Sequence, residues 1–205
     1  MSGFSVKVEH SRQPKARGES WVYTVMRDGA AWGILVDERV RSRSLFESSR
    51  HHHAQWDEAI VPLEGCYWVG IDSWSRTIAP GEAALIPGGL EHESGIADNL
   101  RGIHFLVLLI ARDLNVLNGV EPGGVSLASG TQSWIRAAFR MLRYSSSESS
   151  FIPLSVLPDF LRTLGRQPRL PSDGSHPDAL IAEVLRLIRT RTRFLLCRSW
   201  PAKSA

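Results

Sequence analysis

Three histidines and one glutamate stand at spacings that suit a shared site. His51 and His53 are one residue apart, so an extended strand places both on one face, and Glu58 is expected further along that strand. His92 follows the turn Pro87-Gly-Gly89. Imidazole and carboxylate groups together suit Fe, Mn, Zn or Ni. The four residues therefore predict either a site for such an ion or a polar cavity lining that binds an organic molecule.

Short apolar runs must position these side chains. Between Trp21 and about Ile110, runs rich in Val, Ile, Leu, Trp and Tyr are cut by Gly, Pro, Asp and Ser. Clear examples begin at Trp32, Ala59 and Tyr67. Runs of about 4 to 7 residues with such breaks are typical of many short strands. They predict an antiparallel sandwich or barrel.

Helical patterns follow the strands. Residues 134–144 have the spacing of an amphipathic helix, and residues 153–164 repeat it more weakly, with an interruption at Pro158 and a stop at Gly165. The stretch after that glycine is rich in Gly, Pro and Ser, which is typical of a linker. A last amphipathic helix is predicted over residues 178–191.

The histidine and glycine spacings resemble the two motifs of the cupin superfamily. The first motif, His-x-His-x(3,4)-Glu-x(6)-Gly, is matched by His51, His53, Glu58 and Gly65. The second motif, Gly-x(5)-Pro-x-Gly-x(2)-His-x(3)-Asn, is matched up to its last position by Gly81, Pro87, Gly89 and His92. Ile96 stands where that motif ends in asparagine. The resemblance implies a mainly β chain, a double-stranded β-helix or jelly-roll barrel followed by two or three α-helices.

The order of elements narrows the resemblance. The chain is similar to the sensory and dimerisation half of AraC-type transcription regulators, which has a barrel, two helices, a linker and the start of another helix in this order. The sequence of Ile60–Gly65 is also similar to that family. In such regulators the barrel binds a small effector, the helices pair two subunits, and a separate domain with two helix-turn-helix motifs binds DNA. Residues 178–191 resemble the first helix of that DNA-binding domain. The rest of the domain is expected to be absent from this chain.

The resemblance implies four segments along the chain. They are an effector-binding cupin barrel over 1–118, a helical dimerisation segment over 119–166, a linker over 167–177, and a remnant helix with a basic tail over 178–205.

Candidate functional residues fall into two groups. Contacts with the effector are expected at His51, His53, Glu58, His92, Trp68 and His104. Dimerisation contacts are expected at Trp134, Ala138, Met141 and Leu142, whose face alternatively packs on the barrel. His104 alternatively pairs within its strand, Trp68 alternatively fills the core or rim, and His52 is expected to point outward.

The cofactor prediction follows from the resemblance, because these sensors mostly work without a metal. We expect no cofactor, with a divalent Fe, Mn, Zn or Ni ion at His51, His53, Glu58 and His92 as the alternative. A small metal-dependent cupin enzyme, an isomerase or a dioxygenase, is the corresponding alternative function. No catalytic residue is assigned under the regulator interpretation.

Charge and hydropathy limit the partners. The formal net charge is +3, but the last twenty residues hold six basic side chains and no acid, so the rest of the chain carries −3. The charge therefore predicts no specific DNA binding. The resemblance implies a small-molecule effector and a homodimer as partners, and we expect a cytoplasmic location. No run reaches the roughly 18 apolar residues of a membrane span, and the N-terminus is too polar for a signal peptide.

Overall fold

The computed structural model describes residues 4–13, 18–40, 47–97, 102–144 and 157–174. Eleven strands and two α-helices lie within these ranges. The strands are β1 Phe4–Gln13, β2 Gly18–Arg27, β3 Ala30–Val40, β4 Glu47–His51, β5 Trp56–Glu64, β6 Tyr67–Ile71, β7 Trp74–Ile78, β8 Glu82–Ile86, β9 His92–Ile96, β10 Ile103–Ala111 and β11 Gly123–Ser126. The helices are α1 Ser129–Tyr144 and α2 Leu157–Gly165.

The strands form two antiparallel sheets. The seven-stranded sheet has the order β1-β2-β3-β10-β5-β8-β11, and the four-stranded sheet has the order β4-β9-β6-β7. Buried side chains from both sheets, such as Ile60, Val69, Ile96 and Phe105, meet in one apolar layer, the inner core. The predicted mainly β architecture, a barrel of antiparallel strands followed by helices, is confirmed.

A second apolar layer, the outer core, lies between the seven-stranded sheet and the helices. The alternation of β5 explains the division, because Ile60 belongs to the inner core while Ala59 and Val61 belong to the outer core. Helix α1 adds Ile135 and Phe139 to the outer core. Helix α2 adds side chains at helical spacing to the same layer, namely Leu157, Leu161 and Leu164.

Helix α2 agrees with its weak sequence pattern. Pro158 is the second residue of the helix, where its missing N–H would have no partner in the helix. The helix ends at Gly165, as predicted. The predicted residues 153–156 lie outside the described part of the chain.

Residues 167–174, the first part of the predicted linker, run along the barrel. The backbone N–H of Leu170 donates to the Gly124 carbonyl at 2.8 Å, and the Trp74 indole donates to the Leu170 carbonyl at 3.1 Å. Asp173 accepts from the Thr77 N–H at 3.2 Å. This stretch is therefore anchored to β7 and β11. The predicted helix over 178–191 and the basic tail lie outside the described residues.

The two helices are short relative to a bilayer. Within the described ranges, no helix has both the length and the apolar character that crossing a membrane requires.

Candidate metal centre

The four candidate ligands come from both sheets of the barrel. His51 is the last residue of β4, and His92 is the first residue of β9. These two strands are neighbours in the four-stranded sheet, and His51 and His92 are direct partners across them. Glu58 lies on β5 in the seven-stranded sheet.

The prediction that Glu58 continues the strand of His51 and His53 is wrong. Strand β4 ends at His51, a turn includes Ala54 and Gln55, and β5 begins at Trp56. The turn carries the chain from one sheet to the other. The cluster therefore takes side chains from both sheets, and these side chains meet in the space between the sheets.

The ligand atoms of the four side chains converge. One nitrogen or oxygen from each of His51, His53, Glu58 and His92 lies within 4.8 Å of the others. Oε2 of Glu58 is 3.0 Å from Nε2 of His92 and 3.6 Å from Nε2 of His53. The ring centroids of His51 and His92 are 4.2 Å apart. The structure thus brings together all four residues that the two motifs single out.

Burial differs across the cluster. The His92 and Glu58 side chains are 1% and 7% exposed, whereas the His53 side chain is 32% exposed. His52, between the two ligands of the first motif, is exposed, as predicted. The cluster therefore has a closed inner side and an accessible side at His53.

The ring orientation of His92 leaves one nitrogen toward Glu58. Nδ1 of His92 lies 3.2 Å from the Leu90 carbonyl oxygen, which accepts a hydrogen bond from that nitrogen. In the neutral ring Nε2 then carries a lone pair and faces the Glu58 oxygen at 3.0 Å. Both atoms are buried, and neither has a hydrogen-bond partner of acceptable geometry among the described residues. Two acceptors at this distance require a proton or a cation between them.

The histidine pKa values reflect this charge distribution. Burial lowers the pKa of His53, and the neighbouring imidazoles add to this effect against the opposing charge of Glu58. Burial also acts to lower the pKa of His92, but the Glu58 carboxylate 3.0 Å away and the hydrogen bond to the Leu90 carbonyl outweigh it and raise this pKa. Glu58 therefore favours the protonated form of His92.

The donor set fits a divalent transition metal. Three imidazoles and one carboxylate are ligands that Zn, Fe, Mn and Ni accept, and a hydrogen bond from the second ring nitrogen, as His92 makes to Leu90, is the usual support of a metal-bound histidine. Two ligands at about 2.1 Å from one ion are at most about 4.2 Å apart, so the 4.8 Å spread needs only a small inward movement.

The barrel interior contains polar groups that the motifs do not indicate. The Tyr67 hydroxyl is hydrogen-bonded to Ser94 at 3.1 Å, and the Tyr67 ring packs on Phe105 at a centroid distance of 4.7 Å. Glu38 is the strand partner of Phe105 and shares its face of the sheet. Burial raises the pKa of Glu38 to about 7. The charges of Glu58 and Glu38 both raise the pKa of Tyr67, after the larger effect of burial.

Trp68 and His104 lie away from the cluster. Trp68 alternates with the inner-core residues Tyr67 and Val69, and its ring covers Gly70 on the other face of β6. His104 is buried on the outer-core face of β10 and pairs with Asp37 at 2.8 Å. This arrangement agrees with the alternative in which His104 is a hydrogen-bonded residue of its sheet rather than a contact of the effector.

The predicted dimerisation residues have mixed surroundings. Ala138 is buried, and the Trp134 ring packs on Phe160 of α2 at 5.4 Å. Trp134 therefore packs against the chain's own outer core, and Ala138 is buried within the chain. Met141 and Leu142 belong to α1, but their side chains lie outside the description.

Comparison with known proteins gives similarity of fold. No protein-family model matches the chain, and no curated protein matches it. The bacterial pirin YhhW of Escherichia coli, solved in complex with nickel(II), is 13% identical over 62% of this chain and 59% of its own, with a TM-score of 0.46. An RmlC-like cupin of Shewanella frigidimarina is 12% identical over 52% of this chain and 85% of its own, with a TM-score of 0.39.

A cupin-2 domain containing protein of the same organism is 22% identical over 37% of this chain and 68% of its own, with a TM-score of 0.31. These similarities concern the fold alone.

Proposed function

We propose that the barrel is the effector-sensing domain of an AraC-type transcription regulator, and that its effector binds at a divalent transition metal held by His51, His53, Glu58 and His92. The observation that supports this proposal is the convergence of the four ligand atoms within 4.8 Å. The buried acceptors of Glu58 and His92 favour a cation over a purely organic ligand at this point, because a cation relieves their repulsion.

The accessible side of the cluster supports a role in binding. His53 is partly exposed, so a small molecule can reach the site from solvent. Tyr67, Ser94 and Glu38 add hydrogen-bonding groups to a barrel interior that is otherwise apolar. Convergent polar groups in an apolar interior are the usual form of a small-molecule site.

The regulator assignment rests on the resemblance and on the order of the elements. Helices α1 and α2 pack on the outer face of the sheet that carries Glu58 on its inner face. In this proposal the helices mediate a homodimer through residues of α1, and the domain works in the cytoplasm without binding DNA itself. A bound divalent ion would supply Lewis acidity and open coordination positions for an anionic or carbonyl oxygen of the effector.

The test is metal content followed by ligand binding. We expect the purified chain to take up about one equivalent of Ni²⁺, Zn²⁺, Mn²⁺ or Fe²⁺ and to lose this uptake in the double variant His53→Ala, His92→Ala. Elemental analysis and calorimetric titration with Ni²⁺ measure both quantities. An unmodified chain that takes up none of these ions contradicts the proposed metal.

A metal-dependent cupin enzyme, an isomerase or a dioxygenase, is the second candidate. The three-histidine, one-glutamate donor set favours it, since such a set leaves coordination positions for a substrate. The two candidates differ in what the loaded chain does. Turnover of a small organic substrate without any change of assembly supports the enzyme, whereas effector binding that changes dimerisation without turnover supports the sensor.

A further inference from the structure

Asp57 is a buried carboxylate with two backbone partners from distant parts of the chain. It is 2% exposed. Its Oδ1 accepts a hydrogen bond from the Gly88 N–H at 2.9 Å, and its Oδ2 accepts one from the Leu117 N–H at 2.9 Å. Hydrogen bonds to an ionised group are about twice as strong as neutral ones and are costly to leave unmade when buried. Asp57 therefore fixes two loops relative to β5.

The first of these loops carries His92. Gly88 lies four residues before His92 in the turn that follows β8. The next residue, Gly89, donates its N–H to the His53 carbonyl at 3.0 Å. Asp57 thus anchors a turn that is bonded to one ligand and leads directly into another.

This turn is tightly confined at Gly88. A Cβ atom at Gly88 would come within 2.8 Å of the Trp56 carbonyl oxygen and 3.0 Å of Cδ of Arg112. Such distances leave no room for a side chain. A displacement of the turn must therefore move its neighbours as well.

The second loop, residues 112–117, is here called the connector. It begins at Arg112, whose N–H donates to the Gln55 carbonyl at 2.9 Å in the turn after His53. Near its middle, the Leu114 carbonyl accepts from Arg162 of α2 at 2.8 Å. The connector therefore contacts both the ligand-bearing turns and helix α2.

The connector also packs against α2 through Leu117. This side chain is buried in the outer core together with Leu161 and Leu164. Its methyl group is 3.6 Å from the position that a Cβ at Gly165 would take. The Leu117 amide that Asp57 holds is thus part of the support of α2.

We propose that Asp57 is a positioning residue that links the occupancy of the His51–His53–Glu58–His92 cluster to the connector and helix α2. The inference rests on the proposed function, because it names the route by which that site would act on the helical layer. Drawing Glu58 and His92 onto one ion moves β5 and the turn of Gly88 together. Asp57 lies on β5 and accepts hydrogen bonds from both the Gly88 N–H and the Leu117 N–H. A movement of β5 and the turn therefore also moves the connector.

The experiment measures amide hydrogen exchange in the full chain with and without Ni²⁺. In the unmodified chain we expect saturating Ni²⁺ to slow exchange in residues 112–117 and in residues 157–165. Asp57→Asn should bind Ni²⁺ about tenfold more weakly, which is the lower end of the affinity loss seen when a group that supports a metal ligand is replaced. The Asn side chain has only one acceptor oxygen, and its NH₂ group faces an N–H donor. We therefore expect the Ni²⁺-dependent protection of the connector and α2 to disappear.

Asp37→Asn is the matched control, because Asp37 is also buried and pairs with His104 rather than with a loop of the site. It should lower stability while leaving the Ni²⁺ affinity and the Ni²⁺-dependent protection unchanged. A change in stability alone therefore cannot account for the expected result in Asp57→Asn.

Arg162→Gln tests the second half of the route without altering a buried group. It removes the hydrogen bond to Leu114 and the ion pair with Asp159 but leaves the packing of Leu117, so we expect Ni²⁺ affinity within twofold of normal, retained protection of the connector and reduced protection of α2. Arg136→Gln is its control, since Arg136 of α1 likewise donates to a backbone carbonyl, that of Leu63 in β5. If Asp57→Asn does not fold, this pair decides: equal α2 protection in both variants overturns the proposed route.

The remaining outcomes are distinct. Ni²⁺ binding with the same protection in Asp57→Asn and in the unmodified chain overturns the inference but keeps the metal site. Ni²⁺ binding to the unmodified chain without any protection of residues 112–117 also overturns it. Failure of the unmodified chain to bind Ni²⁺ contradicts the proposed metal site itself and removes the basis of the inference.

Discussion

Asp57 and Glu58 are adjacent on β5, but their carboxylates serve opposite faces of the seven-stranded sheet. Glu58 reaches His92 at 3.0 Å on the inner side, and Asp57 accepts from Leu117 at 2.9 Å on the outer side. Successive side chains of a strand point to opposite faces. A candidate metal ligand and the residue that anchors the connector are therefore consecutive on one strand. This limits how far either side chain can move without the other.

The metal site predicts a strong contrast between His92, a proposed ligand, and His52, an exposed histidine outside the cluster. His92→Ala removes a buried ligand that is 1% exposed, so we expect Ni²⁺ affinity to fall by at least a hundredfold. His52→Ala removes an exposed imidazole beside two ligands and should leave affinity unchanged. Calorimetric titration at one fixed pH measures both. Equal losses in the two variants would indicate nonspecific binding by surface histidines.

The confinement of Gly88 predicts a cost for the smallest possible side chain. Gly88→Ala brings a methyl group within 2.8 Å of the Trp56 carbonyl oxygen, and we expect a loss of about 1 to 3 kcal/mol in the free energy of unfolding. Gly130→Ala in α1 meets nothing within 4 Å and should be neutral or stabilising. Denaturant unfolding of both variants provides the comparison. An unchanged midpoint for Gly88→Ala would show that the turn can yield.

Sequence patterns predicted the barrel and the members of the cluster because both depend on local spacing. The apolar runs at Trp32, Ala59 and Tyr67 lie in β3, β5 and β6. The histidine spacing identified the ligands without their strands being known. The same spacing misplaced Glu58, because Ala54 and Gln55 carry no glycine or proline that would mark a turn.

Other features depend on contacts that no local pattern contains. The partners of Asp57 are 31 and 60 residues away along the chain, and both are backbone amides, which any residue type supplies. Glu38 follows Asp37 in a strand, where alternation alone does not tell which carboxylate faces the barrel interior. Pairing of β3 with β10 decides this by placing Glu38 opposite Phe105.

The dimer proposal predicts different consequences for two residues of α1. Leu142→Asp should convert a dimer into a folded monomer, whose unfolding midpoint no longer depends on protein concentration. Ala138 is 8% exposed within the chain, so Ala138→Asp should instead lower the free energy of unfolding by about 3 kcal/mol or more. Light scattering at about tens of micromolar and thermal unfolding separate the two effects. A monomeric unmodified chain would contradict the proposal.

Glu38 predicts a stability that depends on pH in the direction opposite to that of a salt-bridged carboxylate. Burial raises its pKa from 4.5 to about 7, so between these values the folded chain binds a proton that the unfolded chain has lost. The contribution of Glu38 to stability therefore falls as the pH rises through this range and is constant above it. Glu38→Gln should match the unmodified chain near pH 4 and exceed it near pH 8 by about 1 to 2 kcal/mol, after allowance for partial exposure.

Denaturant unfolding of both chains across this pH range gives the difference directly. Glu9→Gln serves as the control, because the Glu9 side chain is 59% exposed on β1 and tests the removal of a strand carboxylate without burial. A difference between Glu38→Gln and the unmodified chain that does not change with pH would mean that the Glu38 carboxylate is solvated, and would remove it from the barrel interior.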